Sequence, residues 1–123
     1  MACGGAECAF HAEHIAVPDM LVGRVPEQVP MWQAAYTTLL SIAMQAVRQT
    51  EPRLGDRVLV MGQGLVGLLV TGLLKANGAR VMAVDLDESR REHASAMGAE
   101  RVVVSSSQDL QNEVREWTDG HGV

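Results

Sequence analysis

The sequence predicts an α/β fold: a parallel sheet of strand order 3-2-1 with helices on both faces, a three-layer β-α-β-α-β-α arrangement. Three observations predict it. From residue 57 onward, short apolar runs alternate with stretches of helical period. Gly62, Gly64 and Gly67 stand in a G-x-G-x-x-G spacing where the first apolar run gives way to the first helical stretch. A second apolar run, 81–84, ends in Asp85, 18 positions after Gly67. Strands that alternate with helices of this length pair in parallel, because each crossover must return the chain to the same end of the sheet.

Taken in order, residues 1–30 hold Pro18, Pro26 and Pro30 and no helical period, so they read as short extended pieces, with 14–17 the best strand. Residues 31–49 read as one long linking helix with Ala34, Ala35, Leu39, Ile42, Ala43, Ala46 and Val47 on its apolar face. Glu51 and Pro52 end it, since the residue before a proline is driven out of the helical region. Strand 57–61 then leads to helix 65–77, closed by Gly78 as a left-handed cap. Strand 80–84 leads to helix 88–97, with Asp87 as its cap and Gly98 as its stop. Strand 101–104 leads to helix 108–118. The expected organisation is an extended segment (1–30), a linking helix (31–50) and a half-domain of a dinucleotide-binding fold (51–123).

Each residue of the glycine turn has a separate physical task. Gly62 lets the chain leave the strand in a tight turn, Gly64 lets backbone approach a pyrophosphate, and Gly67 lets the helix pack closely on the sheet. The helix beginning at Leu65 and Val66 has unpaired N–H groups in its first turn, and its dipole attracts an anion by roughly 0.3–1 kcal/mol. No lysine or arginine lies in the turn, so backbone donors carry the phosphate. The expected cofactor contacts are Gly62, Gln63, Gly64, Leu65, Val66, Gly67 and Asp85. A carboxylate at the position of Asp85 accepts hydrogen bonds from the ribose 2′- and 3′-hydroxyls and repels a 2′-phosphate, which favours NAD over NADP. Arg90 and Arg91 read as surface charges beside it. A glycine-rich turn in an unrelated α/β domain would have no need of the acid at 85.

Composition narrows the function further. The chain has 123 residues, 47 % of them apolar, enough for one ordered domain with a modest core. Net charge is −5 with the basic residues scattered, and only 3 % of residues are aromatic, which argues against nucleic-acid and anionic-membrane partners. Residues 31–47 contain Gln33, Thr37, Thr38, Ser41 and Gln45, too polar for a membrane span. No secretory signal pattern is visible, and a cytoplasmic protein is expected. Cys3, Cys8, His11 and His14 do not match the paired spacings of structural zinc sites, and in an extended segment His11 and His14 face apart. His93 reads as a solvated surface histidine. No nucleophile with an oriented base is evident, and no catalytic residue is assigned. Ser105, Ser106 and Ser107 follow the third strand and are placed on the adenine side of the cleft.

At this point a resemblance enters. The run from Leu54, Gly55 and Asp56 through Gly67, together with Gly78 to Asp85, resembles the cofactor domain of medium-chain dehydrogenases/reductases, the zinc-type alcohol dehydrogenase superfamily. Residues His11, Ala12, Glu13, His14 and Pro18 are similar to a late strand of that family's catalytic, GroES-like domain. Pro26, Glu27, Ala34 and Ala35 are similar to the segment joining its two domains. The resemblance implies a Rossmann-type fold and NAD(P)-linked hydride transfer at a carbon bearing a hydroxyl or carbonyl, or at an activated double bond. It also implies that the zinc ligands of such enzymes, a Cys and a Gly-His-Glu motif, have no counterpart here. The position of a further Glu ligand falls on Thr38. Zinc is therefore not supported by this segment: either the whole protein is zinc-free or its ligands lie elsewhere.

Strand counting sets the last expectation. A complete dinucleotide fold has two βαβαβ halves, and only the ADP-binding half is legible here. The strand at 57–61 is then an open edge that invites association, including homo-oligomers. The chain reads as an oxidoreductase segment without catalytic competence of its own. The alternative is a non-catalytic dinucleotide-binding or oligomerisation module.

Overall fold

The computed structural model describes residues 2–3, 12–104 and 107–123, and the chain divides into two compact units, residues 1–41 and 42–123. In the first, β1 (Ala2–Cys3) pairs antiparallel with β2 (Val22–Gly23), Cys3 opposite Val22. A short 3-10 turn, Asp19–Leu21, follows Pro18 and leads into β2. The strand expected at 14–17 does not form: residues 12–14 are a bend and 15–18 have no regular structure. An extended segment becomes a strand only where a neighbour completes its ladder, and β2 has found that neighbour in β1.

The linking helix is two helices, α1 (Met31–Ala34) and α2 (Thr37–Thr50), where one was expected. The break has a local cause. The Thr37 hydroxyl donates to the carbonyl of Ala34 at 2.7 Å, and the Tyr36 N–H goes back three residues to Gln33. A side chain that competes for a backbone carbonyl in this way favours a fresh helix start over continuation. α2 ends at Thr50, and Glu51 adopts a positive φ of 48° ahead of Pro52.

The second unit holds the sheet. β3 (Arg57–Met61), β4 (Arg80–Asp85) and β5 (Arg101–Val104) pair in parallel in the order β3-β4-β5, with Met61 opposite Val84 and Asp85 opposite Val104. Between them run α3 (Leu65–Asn77) and α4 (Arg91–Ala96), and α5 (Ser107–Trp117) follows β5. The element order and sheet order are those read from the sequence. The expected helix at 88–97 opens instead as a 3-10 turn, Glu88–Arg90, before α4, and Asp87 caps that turn by accepting the N–H of Ser89.

Two apolar clusters make the layers. Val60, Leu74, Ala79 and Val81, with Val47, Val58 and Val70 against them, lie between the sheet and α2 and α3. Met82, Val84, Val103 and Trp117, with Leu59, Leu110 and Val114, lie between the other face and α5. β4 is the centre of both. Its residues 81–84 are all buried, and a parallel strand covered on both faces reads as a continuous apolar run. Gly78, at a φ of 93°, closes α3 as a left-handed cap, its N–H turned back to the last carbonyls of the helix.

Candidate functional site

Parallel pairing brings the carboxyl ends of β3 and β4 side by side, and the glycine turn rises from that point. The N–H of Gly62 donates to the carbonyl of Val84 at 2.7 Å, which extends the ladder by one step. Gly62 then turns the chain at a φ of 86°, a conformation open to glycine at no steric cost. Gly64 precedes α3 at φ −70° and ψ −173°, with no side chain capping the helix. The N–H groups of Leu65 and Val66 meet no acceptor among the described residues, so the positive end of α3 is left with donors to offer.

The second and third glycines differ in what requires them. A Cβ on Gly67 would stand 1.8 Å from the carbonyl oxygen of Gly62, so the first turn of α3 is in contact with the turn that precedes it. Where packing on the sheet was the expectation for this glycine, the nearest atoms belong to Gly62 and Gln63 of the turn. A Cβ on Gly64 would meet no protein atom within 4 Å. The protein leaves open space over Gly64.

Asp85 ends β4 beside this turn. One carboxylate oxygen accepts the N–H of Gln63 at 2.5 Å, the other the N–H of Asp87 at 2.9 Å. Those donors, Gln63 first, hold its carboxyl below the usual carboxylate range, with a smaller contribution from the charge of Arg90. The backbone N–H of Leu86 adds a weaker bond, and a carboxylate with about four acceptor positions keeps capacity for a ligand. Arg90 lies 3.6 Å from Asp87, while Arg91 is held by Glu88 at 2.5 Å and donates to the carbonyl of Val102. Arg91 is therefore hydrogen-bonded to protein acceptors, while Arg90 forms an exposed ion pair with Asp87.

Gln63 has a task that the sequence did not disclose. Its side chain is fully buried, with Nε2 donating to the carbonyl of Val60 at 3.0 Å and Oε1 accepting the hydroxyl of Thr71 at 3.1 Å. With its N–H on Asp85, neither its amide nor its N–H is turned outward. Thr71 was missed by sequence reading, although a lone hydroxyl inside the apolar run of α3 was a signal for it. Of the other candidates, Ser105 and Ser106 lie outside the described residues and Ser107 begins α5. Cys8 and His11 also lie outside them. Among the described residues, no three His, Cys, Asp or Glu side chains come together where they could hold a metal ion, and no helix is long and apolar enough to cross a membrane.

A parallel sheet with a glycine turn, helix-start donors and an acid at the next strand tip is the arrangement of a Rossmann-type fold. Comparison with known proteins makes this specific. Residues 66–123 match the family model described as zinc-binding dehydrogenase. The chain is 34 % identical over 122 residues to the (R,R)-butanediol dehydrogenase of Neisseria gonorrhoeae, covering 98 % of this chain and 33 % of the relative. It is 35 % identical over 113 residues to the L-threonine 3-dehydrogenase of Pyrococcus abyssi, covering 91 % and 32 %. A mycobacterial protein solved with NADPH superimposes with a TM-score of 0.76 at 30 % identity, covering 91 % of this chain and 36 % of that one. An E. coli alcohol dehydrogenase solved with NADH gives 0.76 at 28 %, covering 83 % and 31 %. The chain belongs to the zinc-type alcohol dehydrogenase-like superfamily of medium-chain dehydrogenases/reductases. It spans about a third of the length of the curated relatives it matches.

Proposed function

We propose that this chain supplies the ADP-binding half of an NAD site in an oxidoreductase that moves a hydride between the cofactor and an alcohol or carbonyl substrate. The observation that carries this is Asp85, held at the tip of β4 by the glycine turn itself, with the free N–H groups of Leu65 and Val66 close by in sequence on the same turn-helix junction. In this reading those N–H groups take the pyrophosphate, Gly64 gives it room, and Asp85 takes the ribose hydroxyls. NAD, when bound, supplies the hydride acceptor; the residues of this chain bind and orient it.

Three points support NAD over NADP. Asp85 is ionised throughout the neutral range, because its pKa is lowered and not raised. Its negative charge repels a 2′-phosphate. Arg90 and Arg91, the cations that could offset that repulsion, are paired with Asp87 and Glu88.

The division into a remnant of the catalytic domain (1–30), a linking helix (31–50) and a half-domain (51–123) belongs to the same proposal, as does the need for further sequence to hold the nicotinamide. β3 has a strand partner on one side only among the described residues, and a strand from outside residues 1–123 would complete the sheet there. Fluorescence titration of the purified protein with NADH and NADPH tests the reading. NADH is expected to bind at least about tenfold more tightly, a difference of about 1.4 kcal/mol. Equal affinities would overturn the preference, and binding of neither would overturn the function. No turnover is expected from these residues alone, with butanediol as probe; formation of NADH would show that the missing half is not needed.

A further inference from the structure

The glycine turn poses a mechanical problem. Gln63 stands between Gly62 and Gly64, the two residue positions with the widest backbone freedom, so the turn has much conformational entropy to lose when a ligand orders it. A turn held in place beforehand avoids that cost at the moment of binding. The only side chain between the two glycines is that of Gln63, and it points into the protein, where it is fully buried.

Its three bonds reach all three elements of the βαβ unit. Nε2 holds Val60 on β3, Oε1 holds Thr71 on α3, and the backbone N–H holds Asp85 on β4. Thr71 lies nearly two helical turns from the start of α3 and is itself fully buried. The pair is therefore sealed from solvent, where a lost partner leaves an unsatisfied group and the bond counts for most. Gln63 also links the two ligand-facing parts of the site: the phosphate turn through its own backbone, and the ribose acid through the N–H that Asp85 accepts.

We infer that Gln63 is a positioning residue for the pyrophosphate, fixing the glycine turn from beneath through Thr71 and the carbonyl of Val60. The inference rests on the dinucleotide reading above. It gives the buried amide a role that acts through the backbone of Gly64 and the first N–H groups of α3, without contact between the amide and the ligand.

Two ligands and three variants test it. ADP-ribose carries the pyrophosphate, and adenosine carries the ribose hydroxyls without it. Thr71→Val keeps the shape of the side chain and removes the donor to Gln63. Thr71→Ser restores the hydroxyl, and Gln63→Met removes both amide bonds at similar length. By calorimetry for ADP-ribose and NMR titration for adenosine, Thr71→Val is expected to weaken ADP-ribose about tenfold and leave adenosine within about twofold. Thr71→Ser should return to the wild-type value, and Gln63→Met should fall at least as far as Thr71→Val. Should Gln63→Met fail to fold, the two Thr71 variants decide the matter. ADP-ribose binding unchanged in Thr71→Val overturns the inference, as does an equal loss for both ligands, which marks the pair as general fold support. Wild-type protein that binds no ADP-ribose overturns the dinucleotide reading itself, a result distinct from either.

Discussion

At the amino end of the parallel sheet, Arg80 donates to both oxygens of Glu100, lies 5.9 Å over the ring of Trp117, and shares Glu100 with the Trp117 indole N–H. Arg57 at the start of β3 pairs with Asp119 beyond α5 at 2.8 Å. At the carboxyl end, Asp85 accepts from backbone N–H groups, and the first donors of α3 face no acceptor among the described residues. A concavity of about 710 Å3 opens at the amino end, lined in part by Arg57, Arg80 and Asp56. Its size alone would draw attention, yet the arginines that line it are already neutralised by acids. The difference teaches that volume alone does not mark a site: at the amino end the arginines are ion-paired within the fold, although the buried Nε of Arg57 has no hydrogen-bond partner, while the carboxyl end presents an unpaired acid beside helix-start donors.

The largest effect that would test this contrast is expected at Gly67. Gly67→Ala drives a Cβ into the Gly62 carbonyl, which should cost about 3 kcal/mol of stability in urea unfolding. Unchanged stability would show that α3 can move off the turn. Gly64→Val is the sharper probe, since the protein has no atom within 4 Å of the new Cβ. ADP-ribose affinity should fall about 100-fold, or about 2.7 kcal/mol, at an unchanged unfolding midpoint. Retained affinity would remove the close approach of phosphate to Gly64.

Next in size is Asp85→Asn. It removes the charge that, in the proposed reading, would face a 2′-phosphate, and should weaken NADH about tenfold while narrowing the gap to NADPH. A parallel loss for both cofactors would assign Asp85 to the turn alone.

The smallest effect lies at the amino end. The Arg80 guanidinium, with help from Trp117, holds the Glu100 carboxyl at about 2, below its ordinary 4.5. A lowered pKa contributes stability that is complete above the ordinary value and is lost as pH falls toward 2. The pair is about two-fifths exposed, so solvent screening limits it to about 1 kcal/mol or less. Glu100→Gln should be less stable than wild type by that amount at pH 7, and the gap should close between about pH 5 and pH 2. A gap independent of pH would place the effect in packing against Trp117. Nucleotide affinity should stay unchanged in Glu100→Gln.

Much of the second unit was legible beforehand. β3, α3 and β5 begin and end where period and glycine placement put them, because strand and helix periods and the left-handed cap at Gly78 are local properties. The first unit was less legible. The strand at 14–17 failed and the pairing of β1 with β2 went unforeseen, since which short extended pieces pair depends on how the chain returns. The break at Ala35 and Tyr36 hinged on one hydroxyl, Thr37, choosing one carbonyl.

The alternation of strands and helices, the glycine turn and the acid that follows it at fixed spacing are all readable along the chain. Those follow from steric limits on φ and from periodicity, which operate within a few residues. Only the tertiary structure decided that Gly67 is required by the Gly62 carbonyl while Gly64 faces open space. It alone showed that Gln63 turns inward to Val60 and Thr71, and that Asp85 grips the turn it was expected only to neighbour. These contacts join positions 3 to 22 residues apart, made when β3, α3 and β4 pack around a common point. No local rule contains them.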